Sequence, residues 1–214
     1  MRADDVGDLI ESDGFLYRRA GPQSSQNLIV ALHGSGADEE TMLPLARAIS
    51  PNARIVVPRG RIDQNGERRW FRKLTPTSFG QDSIRAEAEA FARFLDGLAK
   101  RERLDPASTL FVGYSNGGNL VHSTMLMHPG GIRRAALLRC MPVLSPAPQT
   151  DLSGSQVIVL GGDVDHTYGP HSARLVALLR RRGAAVRSRT VKAGHNFGDE
   201  DAVEIRAWFE AIDA

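Results

Sequence analysis

The chain is short of cysteine and of long apolar runs, and each shortage excludes a class of protein. A single cysteine, Cys140, leaves no internal disulfide framework and no cysteine-based zinc cluster. Nowhere do apolar residues continue for the roughly 20 positions that a membrane-spanning helix needs. The opening stretch, MRADDVGDLIESDG, is acidic and has no apolar segment of signal-peptide length. A cytoplasmic protein without integral membrane association is therefore expected. Lysine occurs only at Lys73, Lys100 and Lys192, and the formal net charge is only +2. So small a charge gives no general attraction to nucleic acid, and none is expected as a partner.

What is present fits one large domain. With 214 residues, 42% of them hydrophobic, the chain can bury a sizeable core. No repeat or low-complexity linker divides it, so residues 1–214 are read as a single unit. Short apolar runs alternate with longer amphipathic ones, the pattern of a mostly parallel sheet of about seven strands with helices on both faces. The expected strands are 27–32, 54–58, 109–113, 135–140, 156–161 and 186–191, after a hairpin around Asp13-Gly14. The alternating run 186–191 suits a sheet edge. Helices are expected from a Thr41 cap onward, along the stripe Ile84, Ala88, Phe91, Leu95 and Leu98, after Ser115, over 171–183 and over 202–213.

One turn carries chemistry. Gly113-Tyr114-Ser115-Asn116-Gly117 follows an apolar strand and opens a helix, the context in which G-x-S-x-G forms a nucleophile elbow. The bland alternative is a loop hydroxyl, so the partners decide. In this motif the acid and then the base follow the serine along the chain. Of the six histidines, His195 alone lies last and just beyond the final strand. His33, His122, His128, His166 and His171 read as structural. The acid must fall between them, and Asp163 and Asp165 both follow the strand 156–161. Two close carboxylates beside His166 are weak evidence for a metal, and neither a metal nor a cofactor is expected. The loop LHGSGAD supplies an oxyanion donor in the N–H of Ser35, and the N–H of Asn116 supplies the second.

With those residues assembled, the chain resembles the phospholipase/carboxylesterase family of α/β-hydrolases, in the bacterial branch whose elbow reads G-Y-S-N-G. The likeness runs from about Asn27 to the C-terminus, through LHGSG, PRG, RRWF, GYSNGG, the G-x-x-D of Gly162 to Asp165, and Gly194-His195. The resemblance implies an α/β-hydrolase fold and a Ser/Asp/His triad of Ser115, Asp165 and His195, choosing Asp165 over Asp163. Family members act as carboxylesterases, lysophospholipases or acyl-protein thioesterases. The chain departs from the family at His166-Thr167-Tyr168, where small apolar residues and proline are usual.

The reading is a serine hydrolase of acyl esters, with thioesters or lysophospholipids as further substrates and a homodimer as the only protein partner allowed for. An inactive binding protein on the same fold, or an amidase or peptidase, are the competing readings. Trp70, Phe71 and Cys140 are candidates for the substrate pocket, though Trp70 and Phe71 suit core packing at least as well and Cys140 reads first as a small buried apolar residue. MPVLSPAPQTDLSGS, residues 141–155, is too short for a helical cap domain, so an open site is expected. Loop 59–73 carries Arg59, Arg61, Arg68, Arg69, Arg72 and Lys73 against Asp63 and Glu67. It is either a solvated basic loop or a rim that attracts anionic esters.

Overall fold

Near-continuous apolar strands demand cover on both faces, and the chain supplies it. The computed structural model describes residues 6–213; residues 1–5 and 214, which hold the start of the acidic opening stretch and the ends of the expected domain, lie outside the described residues. The strands are β1 (Ile10–Ser12), β2 (Phe15–Ala20), β3 (Leu28–Leu32), β4 (Arg54–Pro58), β5 (Ile62–Gln64), β6 (Glu67–Arg69), β7 (Lys73–Thr75), β8 (Ser78–Phe79), β9 (Leu110–Tyr114), β10 (Arg134–Leu138), β11 (Gln156–Gly162) and β12 (Ala185–Val191). The helices are α1 (Leu43–Ile49), α2 (Gln81–Arg101), α3 (Asn116–Met127), α4 (Gly169–Arg181) and α5 (Asp199–Asp213). Eight strands form one sheet in the order β1-β2-β4-β3-β9-β10-β11-β12. The six from β4 to β12 run parallel, while β1 and β2 are antiparallel to their neighbours. This is the α/β-hydrolase fold.

Side chains of β3 show how the sheet is covered. Leu28, Val30 and Leu32 join one apolar cluster with residues of α2, α3 and α4. Ile29 and Ala31 join the other, with residues of α1 and α5. The two-residue period of a strand thus feeds two helical layers. The edge strand β12 has only Val191 fully buried, as its alternating sequence suggests. No described helix is long and apolar enough to cross a membrane.

Three details differ from the sequence reading. Asp38, not Thr41, starts the first helical segment: its carboxylate accepts from the N–H groups of Glu40 and Thr41, and a 3-10 turn (Glu39–Met42) precedes α1. The strand 135–140 ends at Leu138 because Arg139 turns into the left-handed region at φ 53°. The basic segment 59–73 is not one open loop, since β5 pairs with β6 and β7 with β8 in two small ribbons. As expected, no helix or strand stands between β10 and β11.

Candidate active site

The chain leaves β3 toward β4 on one side and returns to β9 on the other, so the strand order reverses between β3 and β9. Ligands of open α/β sheets bind outside the carboxyl ends of strands at such a reversal. Leu32 and Gly113 stand side by side there, which brings the loop after β3 against the turn after β9.

That turn is strained. Ser115 has φ 50° and ψ −115°, a backbone state that costs a non-glycine residue about 1–3 kcal/mol and persists only when its surroundings fix it. The Ser115 N–H donates to Leu138 O at 2.8 Å, and Ser115 O accepts from the Asn119 N–H at 2.9 Å. A Cβ on Gly117 would stand 2.5 Å from His33 O, and one on Gly113 would strike the Gly118 backbone. Only glycine fits at either place.

Ser115, 6% exposed, meets His195 at the mouth of a cleft of about 370 Å³. Its Oγ lies 2.9 Å from His195 Nε2, and His195 Nδ1 lies 2.9 Å from Asp165 Oδ2. Burial opposes the charge on Asp165, but N–H donation from Tyr168, the His195 imidazole and the N–H of Thr167 hold its carboxyl below the usual range. An ionised Asp165 keeps the imidazole proton on Nδ1 and leaves Nε2 to accept from the serine hydroxyl. Asp163 is engaged elsewhere, its Oδ1 accepting from the Ala193 N–H at 3.0 Å. The unusual segment His166-Thr167-Tyr168 therefore does work here, since two of its amides hold Asp165. The imidazole stands between two rings, Tyr114 at 5.5 Å and Tyr168 edge-on at 4.9 Å. Burial pushes the Tyr114 hydroxyl up to about 12, so that ring stays neutral.

Behind His195 stands a residue the sequence reading missed. Arg139 is fully buried, and its guanidinium meets Asp201 through two hydrogen bonds of 2.8 and 3.0 Å. The same group donates to Gly194 O at 2.9 Å and to Asn196 O at 3.1 Å, the carbonyls on either side of His195. Asp201 also accepts from the Gly198 N–H. One ion pair thus fixes the backbone that presents the imidazole.

The opposite loop is held by many bonds, most of them between neutral groups. His33 Nδ1 contacts Gly34 O at 2.7 Å, and its Nε2 accepts from the Gly60 N–H at 3.0 Å. Burial lowers the His33 pKa, so the ring is neutral and Nδ1 is the donor. With Gly34 O drawn toward His33, the planar trans peptide points the Ser35 N–H the other way. Trp70 donates its indole N–H to His33 O and its backbone N–H to Asn116 Oδ1, both at 2.8 Å. Arg68 O accepts from the Gly36 N–H, and Arg69 donates to Ser35 Oγ at 2.6 Å. Asn116 begins α3, where the first amides of a helix lack helical partners.

The structure brings Ser115, Asp165, His195, Ser35 and Asn116 together. It does not bring Trp70, Phe71 or Cys140 into the cleft, which corrects their reading as pocket residues. Trp70 and Phe71 are fully buried in the aromatic core, Trp70 stacked near Phe15 and Phe71 edge-on to Phe79. Cys140 lies behind the elbow, 3.7 Å from Ser115 O, and burial pushes its thiol pKa up. The cleft is lined instead by Glu67, Arg69, Lys73, Pro76, Tyr114, Thr167 and Tyr168 around the serine and histidine. His122 is buried and held neutral, its pKa lowered by burial to about 4. Among the described residues no group of three His, Cys, Asp or Glu side chains gathers as metal ligands must.

A mostly parallel sheet with its strained serine turn at the strand-order reversal defines the class as α/β-hydrolase. The pattern of the Phospholipase/Carboxylesterase family matches residues 19–167, more than half of the chain, and the protein belongs to that family. A carboxylesterase from Mesorhizobium loti is 48% identical, with TM-score 0.92 over 95% of this chain and 98% of that one. The carboxylesterase of Bacillus cereus is 25% identical, with TM-score 0.86 over 92% and 94%. A protein named as a hydrolase, MhqD of Bacillus subtilis (strain 168), is 28% identical across 88% of this chain and 96% of its own. The protein is an enzyme of the carboxylesterase type, and its chemistry is ester hydrolysis.

Proposed function

We propose that hydrolysis runs through an acyl-enzyme on Ser115, with His195 as general base and Asp165 as the group that orients it. The observation that carries this reading is the unbroken path from Ser115 Oγ through the imidazole to Asp165, with 2.9 Å at each step. Ser115 Oγ attacks the ester carbonyl while its proton passes to His195 Nε2. Negative charge collects on the carbonyl oxygen, where the N–H groups of Ser35 and Asn116 stabilise it. The imidazolium, steadied by Asp165, returns the proton to the departing alcohol. A water then loses its proton to His195 and attacks the acyl carbon; the acyl–Oγ bond breaks, the imidazolium returns the proton to Ser115 Oγ, and the acid leaves.

Thioesters would follow the same route with a thiol leaving group. The cleft walls favour small acyl esters over lysophospholipids, because a long acyl chain needs apolar surroundings that Glu67, Arg69, Lys73 and Thr167 do not supply. The unpaired thiol of Cys140 suits a reducing cytoplasm. A fluorophosphonate probe should form one adduct, mapped to Ser115 and absent from Ser115→Ala. An adduct that survives the substitution overturns the reading.

A further inference from the structure

The cleft beside Ser115 has an uneven charge that comes from few residues. Of the six cations in 59–73, Arg59 is committed to Glu39 through two bonds of 2.6 Å, and Arg61 to Glu87 through two of 2.9 Å. Arg68 and Arg72 do not line the cleft. Arg69 and Lys73 do. Arg69 is more than nine-tenths buried, yet its Nε has no partner among the described residues. Its Nη1 holds Ser35 Oγ and its Nη2 meets Glu67. Lys73 forms no ion pair among the described residues, while its backbone is locked to Gln64 by bonds of 2.9 and 2.8 Å. A cation on a fixed backbone without a counter-ion is an attractive point for an anion.

The cleft does not end at these residues. Glu67, Arg69, Lys73 and Pro76 also line a second cavity of about 390 Å³, completed by Gln64, Asn65, Leu74 and Thr75. It adjoins the cleft at those four shared residues and runs across the ribbons β5–β6 and β7–β8. Its walls are mostly polar, so a methylene laid there gains little from leaving water. Charge is what this extension offers. Glu67 already shows the geometry, because its half-exposed carboxylate occupies the Arg69 guanidinium from the solvent side.

We infer that this extension is a subsite for a carboxylate carried by a short ester substrate, received by Arg69 and Lys73 as Glu67 swings aside. The inference rests on the acyl-enzyme reading above and names its substrate class. Arg69 also touches the oxyanion loop, so Lys73 and Glu67 are the residues that separate recognition from catalysis.

The test compares monoethyl glutarate with ethyl pentanoate, esters of equal acyl length that differ by one charge, at low ionic strength. In the native enzyme kcat/KM for the anionic ester should exceed that for the neutral one by about fivefold or more, through KM. Lys73→Met should cut that ratio at least about threefold, Glu67→Gln should raise it, and high salt should bring it toward one. Circular dichroism and thermal unfolding of each variant report whether it has folded. Glutarate binding by calorimetry needs no turnover and should weaken with Lys73→Met. A ratio near one that neither substitution moves, or no glutarate heat up to about 10 mM, overturns the subsite. Turnover that survives Ser115→Ala strikes the acyl-enzyme reading instead, whatever the ratio.

Discussion

The two loops that face Ser115 are held by different physics. The loop carrying His195 depends on one buried ion pair, Arg139 with Asp201, from which the carbonyls of Gly194 and Asn196 hang. The loop carrying Ser35 depends on several bonds spread along Gly60 to Trp70, all but the Arg69 bond to Ser35 Oγ between neutral groups. A buried charge pair is all or nothing, because removing one member strands the other without water. Distributed neutral bonds fail one at a time, each costing about 1 kcal/mol. His195 is therefore held in an all-or-nothing way, and Ser35 in a graded one.

The largest expected effect breaks the His195 side. Arg139→Met leaves Asp201 buried and unpaired, and should lower unfolding free energy by about 3–5 kcal/mol with loss of kcat. Arg139→Lys should restore little, since a point charge cannot serve Asp201 and two carbonyls together. Denaturant unfolding of both variants checks this, and a loss below about 1 kcal/mol for Arg139→Met would show that the pair is not the anchor.

A smaller effect comes from Glu39, which holds Arg59 and Arg18 beside the Ser35 loop. Burial opposes its charge, but hydrogen bonds from Arg59 bring its pKa down to about 2. A depressed carboxyl stabilises the fold fully above its ordinary range and loses that contribution as pH falls toward about 2. Glu39→Gln should cost about 2 kcal/mol at neutral pH, and the gap from the native protein should close in acid. Stability curves at several pH values decide it; a gap constant with pH would contradict the assignment.

The smallest effect sharpens the graded side. Trp70→Phe removes one indole bond to His33 O and should cost about 1 kcal/mol, with kcat/KM lowered by roughly tenfold or less. A collapse as large as that of Arg139→Met would erase the distinction between the loops.

These differences bear on what could be seen in the sequence. Ser115 was legible because glycines at 113 and 117 are demanded by contacts within a few residues of the chain and by the strand beside it. His195 followed from chain order. Asp165 needed the family's G-x-x-D, because nothing local separates it from Asp163. Arg139 was not legible: it closes an apolar strand, and the carboxylate that explains it lies at Asp201, in a distant helix. Trp70 stayed open between pocket and core in the sequence because an aromatic beside arginines looks the same whether its ring faces ligand or core. The ribbons β5 to β8 escaped notice because runs such as Glu67–Arg69 carry no apolar alternation. Long apolar strands announce themselves, whereas elements fixed by long-range polar contacts do not.

The most direct measurement is hydrolysis of p-nitrophenyl acetate by the native enzyme, Ser115→Ala, His195→Ala and the double variant. Residues that act as one unit lose their effect together, so each single change should lower kcat by about 10⁴–10⁶ and the double change should lose no more. Losses that multiply in the double variant, or a Ser115→Ala enzyme retaining more than about a tenth of native kcat, would contradict the account.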